Sequence, residues 1–122
     1  TKAKIVHEIT ALHEKERWIW AEGSRAEVSV AGVISHQGTS RPVAGQIDRI
    51  VPGAGALWIL DFKTGQAASR AEETPLAYVL QLKTYATLLA QTSNNQPIRC
   101  GIVWTSIPTM VDITAQVQQA AW

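Results

Sequence analysis

Apolar residues recur at Ile5, Ile9, Leu12 and, more weakly, Ile19, a spacing that predicts a helix from residue 2 to about residue 22. Gly23 and Ser24 break it. Over residues 27–34 the pattern becomes an alternation. Val28, Val30, Gly32 and Ile34 share one face, with Glu27, Ser29, Ala31 and Val33 on the other, which predicts a strand with one better-buried side. The polar run 36–41 reads as a loop, residues 43–51 as a second strand, and Pro52-Gly53-Ala54-Gly55 as the turn that follows. The third strand, Ala56–Lys63, is apolar on both faces for most of its length and is expected at the centre of a sheet.

After a polar loop, Thr74 suits an N-cap and Pro75 the first helical position. Apolar positions at Tyr78/Val79, Leu82, Tyr85/Ala86 and Leu89 carry that helix to about Gln91, with Ser93-Asn94-Asn95 as its stop. Residues 98–105 and 110–113 read as strands and 116–122 as a short helix. Short loops suggest an antiparallel meander for the first three strands, and a helical crossover makes the third and fourth parallel. The expected fold class is α/β: one mixed central sheet flanked by helices, in a single domain over residues 1–122. The chain opens on Thr1 rather than methionine, which points to a fragment of a longer polypeptide.

Composition narrows the function classes. A net charge of +1 advertises no global field for nucleic acid, so any such surface must be local. The lone Cys100 excludes an internal disulfide or a four-cysteine zinc or iron–sulfur site in this chain, and reads as a small apolar strand residue. There is no apolar run long enough to cross a membrane and no signal peptide, so no membrane partner is expected.

The chemistry gathers at the end of the third strand. Asp61 and Lys63 are two residues apart and therefore share a face, while Phe62 points away. Such a pair at the end of a buried strand needs a compensating partner, and a metal ion, a phosphate, or both would serve. Acids are depleted in strands, yet Glu27, Asp48 and Asp61 all fall in them. Asp48 precedes Asp61 by thirteen residues, so a hairpin through 52–55 sets the two carboxylates near one level on neighbouring strands. Two carboxylates that close repel unless a cation sits between them, and Mg2+ suits one or two carboxylates completed by waters and a phosphate. Lys63 would then hold the attacking water or stabilise charge on a phosphate. Taken singly, Asp48–Arg49 and Asp61–Lys63 also fit surface ion pairs of little consequence. Arg49, Lys63, Arg70 and Lys83 are candidates for a local phosphate-contacting patch. Trp18 and Trp20 fall at opposite edges of the first helix's end, so at least one is expected to be exposed, as an interface with absent domains or as a stacking platform for single-stranded DNA.

The ordered set Gly45-Gln46-Ile47-Asp48-Arg49, Asp61-Phe62-Lys63-Thr64-Gly65 and Gln81-Leu82-Lys83-Thr84-Tyr85 resembles the PD-(D/E)XK nuclease superfamily. More narrowly it resembles the RecB-like nuclease domain at the C-terminus of the AddA subunit of bacterial helicase–nucleases, as do 23–28 and Ile102-Val103-Trp104-Thr105. The resemblance runs from about residue 20 to the end. It implies a restriction-endonuclease-like αβββαβ core and Mg2+-dependent hydrolysis of DNA, as an exonuclease on single strands during double-strand break repair. Mn2+ or Ca2+ would substitute structurally. It further implies that Asp48, Asp61 and the Phe62 carbonyl hold the metal and that Lys63 serves the hydrolytic water. Gln81 and Tyr85 match a Gln-x-x-x-Tyr motif that lines the site and contacts DNA; Glu27 matches a recurrent acid on the first strand, and Thr64 and Arg49 flank the core residues as supporting positions. Implied partners are single- or double-stranded DNA, helicase domains of the same parent chain that would carry the ATP site, and an AddB-like subunit in a bacterial cytoplasm. RecB-like nucleases also carry a histidine ligand upstream of the first strand. His7 and His13 lie in that region outside a recognisable motif, so the sequence leaves open whether the ligand lies beyond this chain.

Other motif readings fail. Lys63-Thr64-Gly65 matches a serine β-lactamase triplet, but no Ser-x-x-Lys or Ser-Asp-Asn accompanies it. There is no phosphate-binding G-x-x-x-x-G-K-[ST] loop, and no cysteine cluster for the iron–sulfur members of the group. The alternative from another class is a catalytically incomplete nuclease-fold module that binds DNA or a partner subunit.

Overall fold

The computed structural model describes residues 2–65, 67–68, 70–93 and 96–122, without the side chains of residues 2–5 and 9. Helix α1 spans Lys2–Lys15 and is followed by a 3-10 turn, Arg17–Trp20. Strands β1 (Arg25–His36), β2 (Thr39–Gly53) and β3 (Ala56–Lys63) come next. Helix α2 (Leu76–Ala90) leads to β4 (Ile98–Trp104), β5 (Thr109–Asp112) and a short α3 (Thr114–Gln119).

The five strands form one sheet in the order β1-β2-β3-β4-β5. β1, β2 and β3 are an antiparallel meander, β3 and β4 are parallel, and β4 and β5 are antiparallel. This is the mixed sheet that the sequence pattern predicts. β3 lies at the centre because both of its faces are apolar, and helices cover both. On one face, α2 and α3 bury Val79, Leu82 and Val117 against Ile47, Ile50, Ile59, Ile102 and Trp104. On the other, Leu12 and Ile19 close over Val51, Leu60 and Val103. The side chains of Ile5 and Ile9, expected on the apolar stripe of α1, lie outside the described residues.

Four details depart from the sequence pattern. The stretch 36–41 is not a loop: β1 and β2 continue to a two-residue turn at Gln37-Gly38, where φ is +50° and +76°. Positive φ at both turn residues matches the right-handed twist of a hairpin. The first helix stops at Lys15, and the tighter turn after it rolls both tryptophans inward. Trp18 meets Trp58 edge-on at 5.4 Å and donates from Nε1 to Glu16, while Trp20 stacks on His13 at 4.8 Å. Both are half-buried within the protein's own packing, so the expectation that at least one is exposed is not met. Thr74 does not cap α2 either: Pro75 takes the N-cap position, and Thr74 Oγ1 is buried without a partner among the described residues. At the other end, α2 closes at Ala90, and the expected stop at Asn94 and Asn95 lies outside the described residues.

Candidate active site

Asp48 sits where the alternation of β2 breaks. Side chains three apart on a regular strand face opposite ways, yet Ile47 and Ile50 both join the core under α2. Arg49 and Val51 turn to the other face. Across the hairpin, Glu27 falls level with Asp48 in the register and has a left-handed φ of +54°. The β2–β3 ladder ends at Arg49 and Leu60. Beyond that point the Asp48 carboxylate replaces backbone as acceptor: its Oδ2 receives the Phe62 N–H at 2.8 Å. Because a strand residue's N–H and C=O point to the same side, the Phe62 carbonyl also faces β2 past the last ladder pair.

Asp61 and Lys63 share the face of β3 under α2, and Phe62 packs on the opposite face. Asp61 is only 4% exposed, which makes it the most deeply buried carboxylate among the described residues. Lys63 Nζ lies 2.9 Å from its Oδ2, yet no described group makes a well-directed hydrogen bond to that oxygen. Burial pushes the Asp61 pKa up to about 6; Lys63 opposes the shift and the neighbouring Asp48 reinforces it. For Lys63, burial acts to lower the pKa, but the Asp61 carboxylate outweighs it and keeps the ammonium charged.

Helix α2 supplies the wall. Lys63 Nζ donates to Gln81 Oε1 at 3.4 Å, and Gln81 Nε2 donates to the Tyr85 hydroxyl at 3.3 Å. The ring of Tyr78 lies 4.3 Å from Lys63 Nζ, a cation–π contact. Tyr85 reaches the sheet only because position 45 is glycine: a Cβ there would stand 2.6 Å from the Tyr85 ring. Thr105 N–H donates to the Lys63 carbonyl at 3.0 Å and fixes the end of β3.

Of the residues singled out from sequence, Asp48, Phe62, Asp61, Lys63, Gln81 and Tyr85 come together here. Glu27 and Thr64 are exposed. The fold does not bring Arg49 to the cluster. It points to the far face, donating to the Ile19 carbonyl at 2.7 Å and to Ser24 Oγ at 2.6 Å, with Trp20 alongside. The suggested basic patch of Arg49, Lys63, Arg70 and Lys83 is therefore not a single surface. Arg70 faces Glu72 at 3.5 Å, and Lys83 lies over the Trp122 ring. His13, on Trp20, belongs to the side of the sheet away from Asp61, and Trp20 meets Phe62 edge-on at 6.5 Å. Sequence reasoning took Tyr78 only as a helix core position. Its spacing of three from Gln81 places both on one side of α2, and that was the signal available.

The donor set suits a hard divalent cation. Two carboxylates, one of them buried beside Lys63, stand next to the Phe62 carbonyl where the β2–β3 ladder ends. Among the described residues no three His, Cys, Asp or Glu side chains converge. Such a donor set leaves most positions on a hard cation to water and substrate oxygen.

A mixed sheet with helices on both faces, carrying an acid–lysine pair on its central strand and a second acid beside it, is the architecture of a class of nucleic-acid-cutting domains. The chain belongs to the PD-(D/E)XK nuclease superfamily, whose family model matches residues 3–120. Superfamily members generally use divalent metals. Among solved structures, the crystal structure of SSO0001 is similar in fold, with a TM-score of 0.54 and 15% sequence identity over 93% of this chain. This chain covers 52% of that one, about half its length. No curated protein matches at a significant level. No helix among the described residues is long and apolar enough to cross a membrane.

Proposed function

We propose that the chain is a Mg2+-dependent deoxyribonuclease domain that hydrolyses phosphodiester bonds of single-stranded DNA. The observation that carries this reading is the buried Asp61 beside Lys63, with Asp48 hydrogen-bonded to the Phe62 N–H between them. Asp48, Asp61 and the Phe62 carbonyl would hold the cation, which when bound neutralises phosphate charge and lowers the pKa of water. Lys63 is kept protonated by Asp61 and aimed by Gln81. Its ammonium orients the attacking water by hydrogen bonding and stabilises charge on a non-bridging phosphate oxygen. Gln81 and Tyr85 form a polar ledge along which the DNA backbone lies. Tyr78 restricts Lys63 from the side. The domain arrangement we favour is an AddA-like helicase–nuclease, with the motor and its ATP site elsewhere in a longer chain, an AddB-like partner and a cytoplasmic role in break repair.

A gel assay on a labelled single strand tests the reading. Wild type should cut in Mg2+ and stop in EDTA, and Asp61→Ala and Lys63→Ala should each slow cutting about 100-fold or more. Full cutting by both variants would sink the assignment. DNA binding by wild type with no cutting in Mg2+ would instead support a binding module.

A further inference from the structure

Beyond the ledge of Gln81 and Tyr85, the same face of the sheet opens into a cavity of about 480 Å3. Ile34, Val43, His36, Arg41, Thr84 and Trp122 are among the residues that line it. It lies farther along β2 and α2 from the candidate site. Val43 is two residues from Gly45, on which Tyr85 lies, and Thr84 shares with Gln81 the i, i+3 side of α2. Arg41 pairs with Ile34 across the hairpin and so lies on the same face. From Asp48 to Arg41 the strand covers seven residues, roughly 23 Å.

The lining has a definite chemistry. Trp122 is 43% exposed; Lys83, which is not part of the lining, has its Nζ 5.1 Å from the ring centre. Arg41 and His36 are exposed, and no carboxylate lines the cavity among the described residues. An exposed aromatic side chain beside apolar Ile34 and Val43, with the Arg41 cation in the same lining, suits a nucleobase stacked on Trp122 with its phosphate on Arg41. An uncharged apolar ligand would leave Arg41 without a role.

We infer that this groove holds the single strand several nucleotides from the scissile phosphate, with a base on Trp122 and a phosphate on Arg41. The inference rests on the nuclease reading and adds a second anchoring point to it, one that favours strands long enough to reach both.

Fluorescence anisotropy with oligo(dT) of roughly 12 and roughly 4 nucleotides tests it, with Ca2+ replacing Mg2+ to prevent cutting. Wild type should favour the longer strand. Trp122→Ala should weaken the longer strand about fivefold or more, and Trp122→Phe should restore most of the loss. Arg41→Ala should reduce the salt slope of log K by about 0.7. Wild-type affinity for the longer strand in both Trp122→Ala and Arg41→Ala, or no length preference in wild type, would overturn the groove. The two readings fail separately. Mg2+-dependent cutting with no effect of these variants removes the groove alone, and length-dependent binding that falls as expected without any cutting removes the nuclease alone.

Discussion

The pair at the end of β3 predicts a trade of stability for function at one atom. Asp61 is buried, and its pKa rises from the ordinary 3.8 to about 6. Because the folded-state value lies above the unfolded one, this group's stabilising contribution is complete below pH 3.8. It is lost as pH rises through about 6, when the carboxylate must ionise out of reach of water. A shift of about two units corresponds to ~3 kcal/mol. Asp61→Asn keeps the shape and removes the ionisation. Without divalent cations at pH 8 the variant should therefore be more stable than wild type by about 3 kcal/mol, roughly 10 °C in Tm for a domain of this size. The difference should shrink toward zero at pH 4. Mg2+ should raise the Tm of wild type at pH 8 and leave the variant unmoved, because the second carboxylate is gone. Melts at pH 4, 6 and 8, in EDTA and in Mg2+, read all of this. A variant less stable than wild type at pH 8 in EDTA would refute the reasoning, since it would mean that the Lys63 contact outweighs burial.

Three further outcomes follow from the packing. Gly45→Ala would place a methyl group 2.6 Å from the Tyr85 ring. It should cost about 1–3 kcal/mol in urea melts, and a Gly45→Ala/Tyr85→Ala double variant should recover part of that loss relative to additivity. Arg49→Ala removes hydrogen bonds to the Ile19 carbonyl and Ser24 and should destabilise by about 2 kcal/mol; unchanged stability with weakened DNA binding would contradict its placement. Cys100 is buried and its thiol is pushed up to about 12 by that burial, so a thiol reagent at pH 8 should leave the native chain unlabelled and label one site after unfolding.

The central strand was legible because its signals agree: Ala56–Lys63 is apolar on both faces and bounded by Gly55 and Gly65, and the fold uses those limits unchanged. The alternation of exposed and half-buried positions along β1 and the crossover through α2 were equally readable. The hairpin tip was missed because Gln37-Gly38 lacks the usual Asn or Asp before the glycine, while the polar residues 39–41 look like loop. The two tryptophans were misjudged because a 3-10 turn replaces the last turn of the helix, changing the angle per residue. Placing Arg49 beside Asp48 in the site was an error of phase. Strand alternation alone puts the two on opposite faces. The convergence of Asp48, Asp61, Lys63, Gln81 and Tyr85, by contrast, could be anticipated from their ordered motifs.

The most direct test is a crystal of the chain soaked in Mn2+ and measured for anomalous scattering. The account predicts a peak bonded to the Asp48 and Asp61 carboxylates and the Phe62 carbonyl. Carboxylates that stay unliganded at saturating Mn2+, with Asp61 engaged only by Lys63, would contradict it.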